Sequence, residues 1–78
     1  MVAAEAAMIA IAGAELLKVL DEGRPRYGAR WLTLDTDYFV DHAFKHIIAI
    51  RAGENTEDHI AHALCDLAMA TYLRRTVT

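Results

Sequence analysis

Histidine and aspartate recur at helical spacing in the C-terminal part of the chain. His59, His62 and Asp66 follow one another at intervals of three and four residues, so at about 100° per residue they share one narrow stripe of a helix. Almost every other position in this stretch is apolar, and a polar group buried without a partner costs about 1–3 kcal/mol. The stripe is therefore expected to face a polar cleft or other polar side chains.

A second polar stripe precedes the first. Asp37, Asp41 and Lys45 are spaced four residues apart, and His42 and His46 lie beside them. In one interpretation this is a solvated helix edge, with Asp41 and Lys45 forming an ion pair worth roughly 0.2–0.5 kcal/mol. In the other, the two stripes face each other across a cleft that binds a metal and a phosphate. A purely structural role stays open for each histidine.

The residue types in such a cleft suggest which of them would bind metal, transfer a proton or bind phosphate. Carboxylates suit magnesium, a hard cation that prefers oxygen, whereas histidines leave manganese, zinc or iron open. His46 could donate or accept a proton, because an ordinary imidazole has a pKa of about 6.5. Lys45 and the loop arginines, Arg30 among them, could bind phosphate oxygens. The candidate carboxylate ligands are Glu15, Asp41 and Asp66.

Glycine and proline divide the chain into helices. The first helix is expected to run from about Val2 to Asp21, because Gly23 closes helices readily and Pro25 cannot continue one. The segment 23–35 that follows is predicted to be an ordered, positively charged loop. Its basic residues are Arg24, Arg26 and Arg30.

The second helix is predicted from its capping residues. Asp35 or Thr36 can cap its start, and it is expected to reach about Arg51 before a break at Gly53. The sequence contains no internal repeat and no low-complexity linker.

The third helix has capping residues of its own. Asn55 or Thr56 is the expected cap, with Glu57 and Asp58 in the first turn, where the helix dipole favours negative charge. Arg75 lies near its expected end. Two basic residues at that end fit the same dipole argument.

Length and composition indicate a small all-α protein. The 78 residues predict one domain over residues 1–78, and 55% hydrophobic residues exclude a disordered tail. Abundant alanine favours helix over sheet. The first helix is apolar on all sides and needs burial all round, so the three helices are expected to form a dimeric or tetrameric bundle.

Charge and cysteine content exclude several classes of function. A net charge of −3 disfavours binding to duplex nucleic acid. The chain contains no serine, and its lone Cys65 lies in an apolar stretch, so a nucleophilic triad is not expected. Charged residues interrupt the apolar N-terminal segment, which predicts no membrane span and a cytoplasmic protein.

Four short motifs follow one another over about three quarters of the chain. They are Glu15-Leu-Leu-Lys-Val-Leu-Asp-Glu-Gly23, Arg26-Tyr27-Gly28-x-x-Trp31, Asp41-x-x-x-Lys45-His46 and Glu57-Asp58-His59-x-Ala61-His62-Ala63. Their order and spacing resemble the dATP/dGTP diphosphohydrolase family of phages, which is related to the all-α MazG-like nucleotide pyrophosphohydrolases. The chain departs from this pattern in several respects. Leu16 and Leu17 stand where MazG-like enzymes would have further acids, the chain is short, and the loop between the second and third helices is compressed to Ala52-Gly53-Glu54-Asn55.

The resemblance implies a reaction and a set of residues. A purine deoxynucleoside triphosphate would be hydrolysed to the monophosphate and pyrophosphate, with a divalent metal, magnesium or else manganese, in an oligomeric helical bundle. A phage-encoded enzyme of this kind would work in the host cytoplasm. By position, Glu15 would be the acid of the first helix, and Asp66 stands where the family often has asparagine.

On this hypothesis each candidate residue has a role. Glu15, Asp41 and Asp66 would hold metal, and Lys45 and Arg30 would hold phosphate. A purine could stack on Trp31 or Tyr27, although either can equally anchor the loop. The residues that would position the water or act as base are His46, His59 and His62.

Two alternatives need no catalysis. In the first, the chain is a small oligomeric interaction module that uses the arginine cluster of segment 23–35 to hold an acidic partner or a nucleotide. In the second, it is a structural helical protein whose histidines are all satisfied internally. Metal dependence separates the first alternative from an enzyme, and loss of stability on acidification would indicate the second.

Overall fold

The computed structural model describes residues 1–76, which form helices joined by short connections and contain no strand. The predicted all-α class with three α-helices is confirmed. The helices are α1 (Ala3–Tyr27), α2 (Thr36–Arg51) and α3 (His59–Thr76), with a short 3₁₀ helix at Arg30–Thr33 between α1 and α2.

The end of α1 differs from the prediction. The helix passes Asp21 and continues to Tyr27 with Pro25 inside its last turns. Proline removes one backbone hydrogen bond, but this part of α1 is exposed, so water can satisfy the carbonyl that is left. The helix ends instead at Gly28, whose φ of 55° is easy only for glycine and whose N–H donates to the Arg24 carbonyl over 3.0 Å.

The boundaries predicted for α2 are confirmed. The Asp35 carboxylate caps the helix by accepting a hydrogen bond from the Tyr38 N–H over 2.9 Å. At the other end the chain leaves the helix after Arg51 and turns at Gly53, which has a φ of 78°.

The start predicted for α3 is wrong by a few residues. Thr56 lies three residues before the first helical residue, and its N–H and hydroxyl donate to the Glu54 carboxylate. Asp58 caps the helix, since its Oδ1 accepts a hydrogen bond from the Ala61 N–H over 3.1 Å. The helix therefore begins at His59, and Glu57 belongs to the connection before it.

Loss of the α2 cap gives a test of this fold. Asp35→Ala is expected to lower the free energy of unfolding by about 1 kcal/mol, because the Tyr38 N–H loses its acceptor. Asp37→Ala is the matched control, since it removes an acid from the first turn and leaves the cap in place. Chemical denaturation of both variants measures the difference, and equal losses would contradict the capping role.

Helices α2 and α3 pack against each other as an antiparallel hairpin. At its open end Phe39 from the start of α2 meets Ala70 and Leu73 from the end of α3, with Trp31 and Met69 packed against them. Small residues are also buried along the two helices. They are Ala43 of α2 and Ala61, Ala63 and Cys65 of α3.

Helix α1 lies against the start of α3 and stays largely uncovered. Along Ala3–Tyr27, all of which the structure describes, no residue is buried. Met8 and Ile11 of α1 line a groove with Ile60 and Leu64 of α3. Among residues 1–76, no helix is both long and apolar enough to cross a membrane.

Candidate metal centre

Two histidines meet at the closed end of the α2–α3 hairpin. His46 lies in the second half of α2, and His59 is the first residue of α3. The antiparallel packing brings their rings together, with centroids 5.1 Å apart. The Nδ1 atoms of the two rings are 2.8 Å apart. His59 is buried with 8% of its surface exposed, so this contact lies at the base of the site.

Glu57 brings a carboxylate to the same point. Its Oε1 lies 3.2 Å from Nδ1 of His59 and 3.4 Å from Nδ1 of His46. One ligand atom from each of these three residues lies within 4.8 Å of the other two. We refer to His46, Glu57 and His59 as the ligand group. Its three atoms converge on one point from two helices and the connection between them.

The Glu54 carboxylate determines which nitrogen of His59 faces the ligand group. Its Oε2 makes a short contact with His59 Nε2. Hydrogen bonds from the Thr56 side chain, then from His59 and the Thr56 backbone, lower the pKa of Glu54 to about 2. An ionised carboxylate only accepts hydrogen bonds, so we assign the proton of neutral His59 to Nε2. The lone pair of Nδ1 then faces Nδ1 of His46.

The lowered pKa of Glu54 predicts a pH effect on stability. A carboxylate whose pKa is depressed in the folded state stabilises the fold above its unfolded pKa of about 4.5, and this contribution is lost as the pH falls toward 2. Glu54→Gln is therefore expected to make the melting temperature less dependent on pH between 5 and about 2.5. Glu22→Gln on exposed α1 is the control, and an unchanged slope in Glu54→Gln would refute the assignment.

His62 lies beside the ligand group. Its Nδ1 is 3.4 Å from the same Glu57 Oε1, and its ring centroid is 5.4 Å from that of His46. It is half-buried. His62 therefore shares the Glu57 oxygen with both members of the histidine pair while standing one turn further along α3.

Asp66 lies behind His46. Its Oδ2 is 3.8 Å from His46 Nε2 and is buried without a hydrogen-bond partner in the part of the chain that the structure describes. Burial raises the pKa of the Asp66 carboxyl, and the nearby His46, His42 and His62 oppose this shift. Asp66 faces the Nε2 side of His46, as Glu54 faces the Nε2 side of His59.

The other predicted site residues lie elsewhere. Asp41 and Lys45 are exposed on α2, and Glu15 lines the groove between α1 and α3. In the described chain, Glu15, Asp41 and Asp66 are not part of the ligand group. Arg30 is exposed in the 3₁₀ helix. The structure thus brings together His46, His59, His62 and Asp66 of the predicted site residues.

Trp31 lies at the opposite end of the hairpin. It packs against the cluster that contains Phe39, and its ring meets that of Tyr72 edge-on at 5.5 Å. Phe39 precedes His46 by seven residues, about 10 Å along a helix. Stacking of a purine on Trp31 stays a prediction, and the observed contacts are those of a core anchor.

Glu54 and Glu57 were not predicted as site residues. Glu57 was expected only in the first turn of α3, where the helix dipole favours negative charge, and Glu54 had no predicted role. Both are acids placed five and two residues before His59. Acids in the connection that leads into a pair of helical histidines are the signal that could have indicated them.

One comparison with known proteins found a match. The family described as "dATP/dGTP diphosphohydrolase, N-terminal" has a model that matches residues 4–77. The matched range contains the whole ligand group together with Glu54, His62 and Asp66. Searches of curated proteins and of solved structures found no match.

Proposed function

The chain belongs to the dATP/dGTP diphosphohydrolase N-terminal family, as its motifs predicted, and on this premise we propose that it is a metal-dependent nucleotide pyrophosphohydrolase. Its substrate would be a purine deoxynucleoside triphosphate, and its products the monophosphate and pyrophosphate. The observation that carries the proposal is the convergence of His46, Glu57 and His59 at one end of the hairpin.

The ligand group fits a divalent metal. Ligand atoms bound about 2.0–2.2 Å from one ion, at angles between 90° and the tetrahedral value, lie roughly 2.8–3.6 Å from each other. The three separations here are 2.8, 3.2 and 3.4 Å. A divalent metal supplies charge neutralisation on the phosphates and on the pyrophosphate that leaves.

The remaining residues would act on the water and the phosphates. Hydrolysis adds the oxygen of one water to a phosphorus of the α–β anhydride, breaks the bond to the bridging oxygen and releases a proton. His62 stands beside the ligand group without belonging to it, so its imidazole is the proposed acceptor of that proton. Lys45, exposed next to His46 on α2, is proposed to hold phosphate oxygens. Arg30 adjoins Trp31 at the opposite end of the hairpin, and its phosphate contact stays a prediction.

Pyrophosphate release tests the reaction. The common dNTPs and NTPs are incubated with the chain and either magnesium or manganese, with a chelator control. The proposal expects metal-dependent release that is fastest with a purine deoxynucleotide and abolished by chelator. No release from any nucleotide would contradict it, and chelator-insensitive nucleotide binding would favour the interaction module instead.

Asp41→Asn asks whether the predicted carboxylate ligands contribute. Asp41 is exposed on α2 and does not belong to the ligand group. If Asp41 holds metal, as its motif implies, this variant loses metal-dependent release. Unchanged release would mean that Asp41 does not bind the metal and that the ligand group binds it without Asp41.

We also propose that the chain forms a homo-oligomer through α1 and the adjoining face of α3. Met8, Ile11 and Ile60 are 61%, 66% and 69% exposed, and they line one groove together with Leu64. Apolar side chains of this size stay in water only at a cost of about 25 cal/mol per Å² of surface. A second copy packed on this groove, in a dimer or tetramer, would remove them from water.

A further inference from the structure

We propose that the ligand group is a transition-metal site that selects zinc, or a similar first-row ion such as cobalt, against magnesium, with Glu54 as the residue that orients His59. The inference deepens the proposed function by naming the class of metal. It rests on the arrangement of nitrogen lone pairs, which is independent of whether a nucleotide is hydrolysed.

The first step is the donor set. Two of the three converging atoms are imidazole nitrogens and one is a carboxylate oxygen. Magnesium prefers oxygen and dehydrates reluctantly, whereas imidazole suits zinc, copper, iron and nickel. A nitrogen-rich group at the closed end of a helical hairpin therefore favours a first-row transition metal.

The second step is the direction of the lone pairs. With the proton of His59 on Nε2, held by Glu54, the Nδ1 lone pair faces His46 Nδ1 at 2.8 Å, and Glu57 Oε1 lies 3.2 Å from the same nitrogen. A lone pair 3.2 Å from a carboxylate oxygen is repelled by it. A proton on His46 Nδ1 would satisfy the histidine pair but leave His59 and Glu57 in repulsion, whereas one cation between the three atoms satisfies all of them.

The third step is the outer carboxylates. Histidines that bind metals commonly donate their other N–H to a carboxylate, which fixes the tautomer and strengthens the ligand. Glu54 occupies this position at His59 Nε2, and Asp66 Oδ2 lies 3.8 Å from His46 Nε2. Glu54 thus orients His59 by a hydrogen bond, whereas Asp66 lies near Nε2 of His46 without a hydrogen bond to it.

Cobalt binding tests the inference without any nucleotide. The full chain, purified without a histidine tag, is titrated with Co²⁺ at neutral pH, and the visible absorption of the ion is recorded. We expect saturable cobalt bands that zinc removes at equal concentration and that a hundredfold excess of magnesium leaves in place. Absence of such bands, or their removal by an equal concentration of magnesium, would overturn the proposal.

Variants assign the signal to named residues. His59→Gln is expected to abolish the cobalt bands, while His42→Gln, on the same face of α2 as His46 but outside the ligand group, keeps them. Glu54→Ala is expected to weaken binding about 10–100-fold, and Glu54→Gln, which retains an acceptor oxygen for Nε2–H, recovers part of it. Circular dichroism checks that each variant is folded. Equal cobalt binding by His59→Gln and the unsubstituted chain would overturn the assignment.

The outcomes separate this inference from the proposed function. Cobalt binding without pyrophosphate release from any nucleotide supports the metal site and contradicts the pyrophosphohydrolase. Pyrophosphate release with magnesium, in a chain that does not bind cobalt, contradicts the metal site and supports the pyrophosphohydrolase.

Discussion

Glu57→Gln is expected to lower the rate of pyrophosphate release at least about 100-fold. The Glu57 oxygen is the negative charge shared by Nδ1 of His46, His59 and His62, at 3.4, 3.2 and 3.4 Å. Changing a residue that only supports a metal ligand already costs 10–100-fold in affinity or activity, so removing the ligand charge itself should cost at least the upper value. The rate is measured at saturating nucleotide with each metal.

The substitution suits a test of chemistry because it spares the fold. The Glu57 side chain is 45% exposed, and glutamine has nearly the same shape, so the free energy of unfolding should change little. Glu22→Gln on α1 is the matched control and is expected to keep full activity. A Glu57→Gln variant that releases pyrophosphate within threefold of the unsubstituted rate would remove the ligand group from the mechanism.

Helix boundaries could be predicted where neighbouring residues alone determine them. Asp35 caps α2 as expected, because an aspartate side chain can accept the backbone N–H of Tyr38 with no help from the rest of the fold. The end of α1 was missed because Pro25 lies near an exposed helix end. There the proline removes only one backbone hydrogen bond, and water can bind the carbonyl that is left, so the helix continues. The start of α3 was missed because Asp58, and not Thr56, supplies the side-chain oxygen that accepts the Ala61 N–H.

The candidate site could be predicted only in part, for a geometric reason. Helical spacing places His59, His62 and Asp66 on one face, and the structure brings this face to His46. Helical periodicity carries no information about the path of the connection between two helices. Glu54 and Glu57 lie in that connection, and their carboxylates reach the histidines only because the chain turns at Gly53 and reverses into α3.

The distribution of burial also separates the two ends of the hairpin. At the open end, apolar side chains such as Phe39 and Leu73 pack between the two helices. This packing holds α2 and α3 at a fixed register. That register determines which residues of α3 face His46. Packing at one end therefore positions the titratable side chains at the other, and the core and the candidate site share the same two helices.

Ile11→Glu is expected to convert an oligomer of this chain into monomers. Ile11 is 66% exposed in the groove between α1 and α3. If a second copy covers it, a buried unpaired carboxylate would replace the apolar contact at that interface, and its desolvation would oppose assembly by several kcal/mol. Sedimentation or light scattering should then give the monomer mass of 8.7 kDa, against a dimer or tetramer for the unsubstituted chain.

The matched control is an equally exposed apolar residue on another helix. Phe44 of α2 is 60% exposed and lies outside the groove, so Phe44→Glu should leave the oligomer intact. If both variants dissociate, the interface extends beyond the groove, and if the unsubstituted chain already has the monomer mass, the proposed homo-oligomer is wrong. Because the groove between α1 and α3 includes Asp58 and Ile60, the two neighbours of His59 in the chain, dissociation is also expected to expose the start of α3, which links assembly to the position of the ligand group.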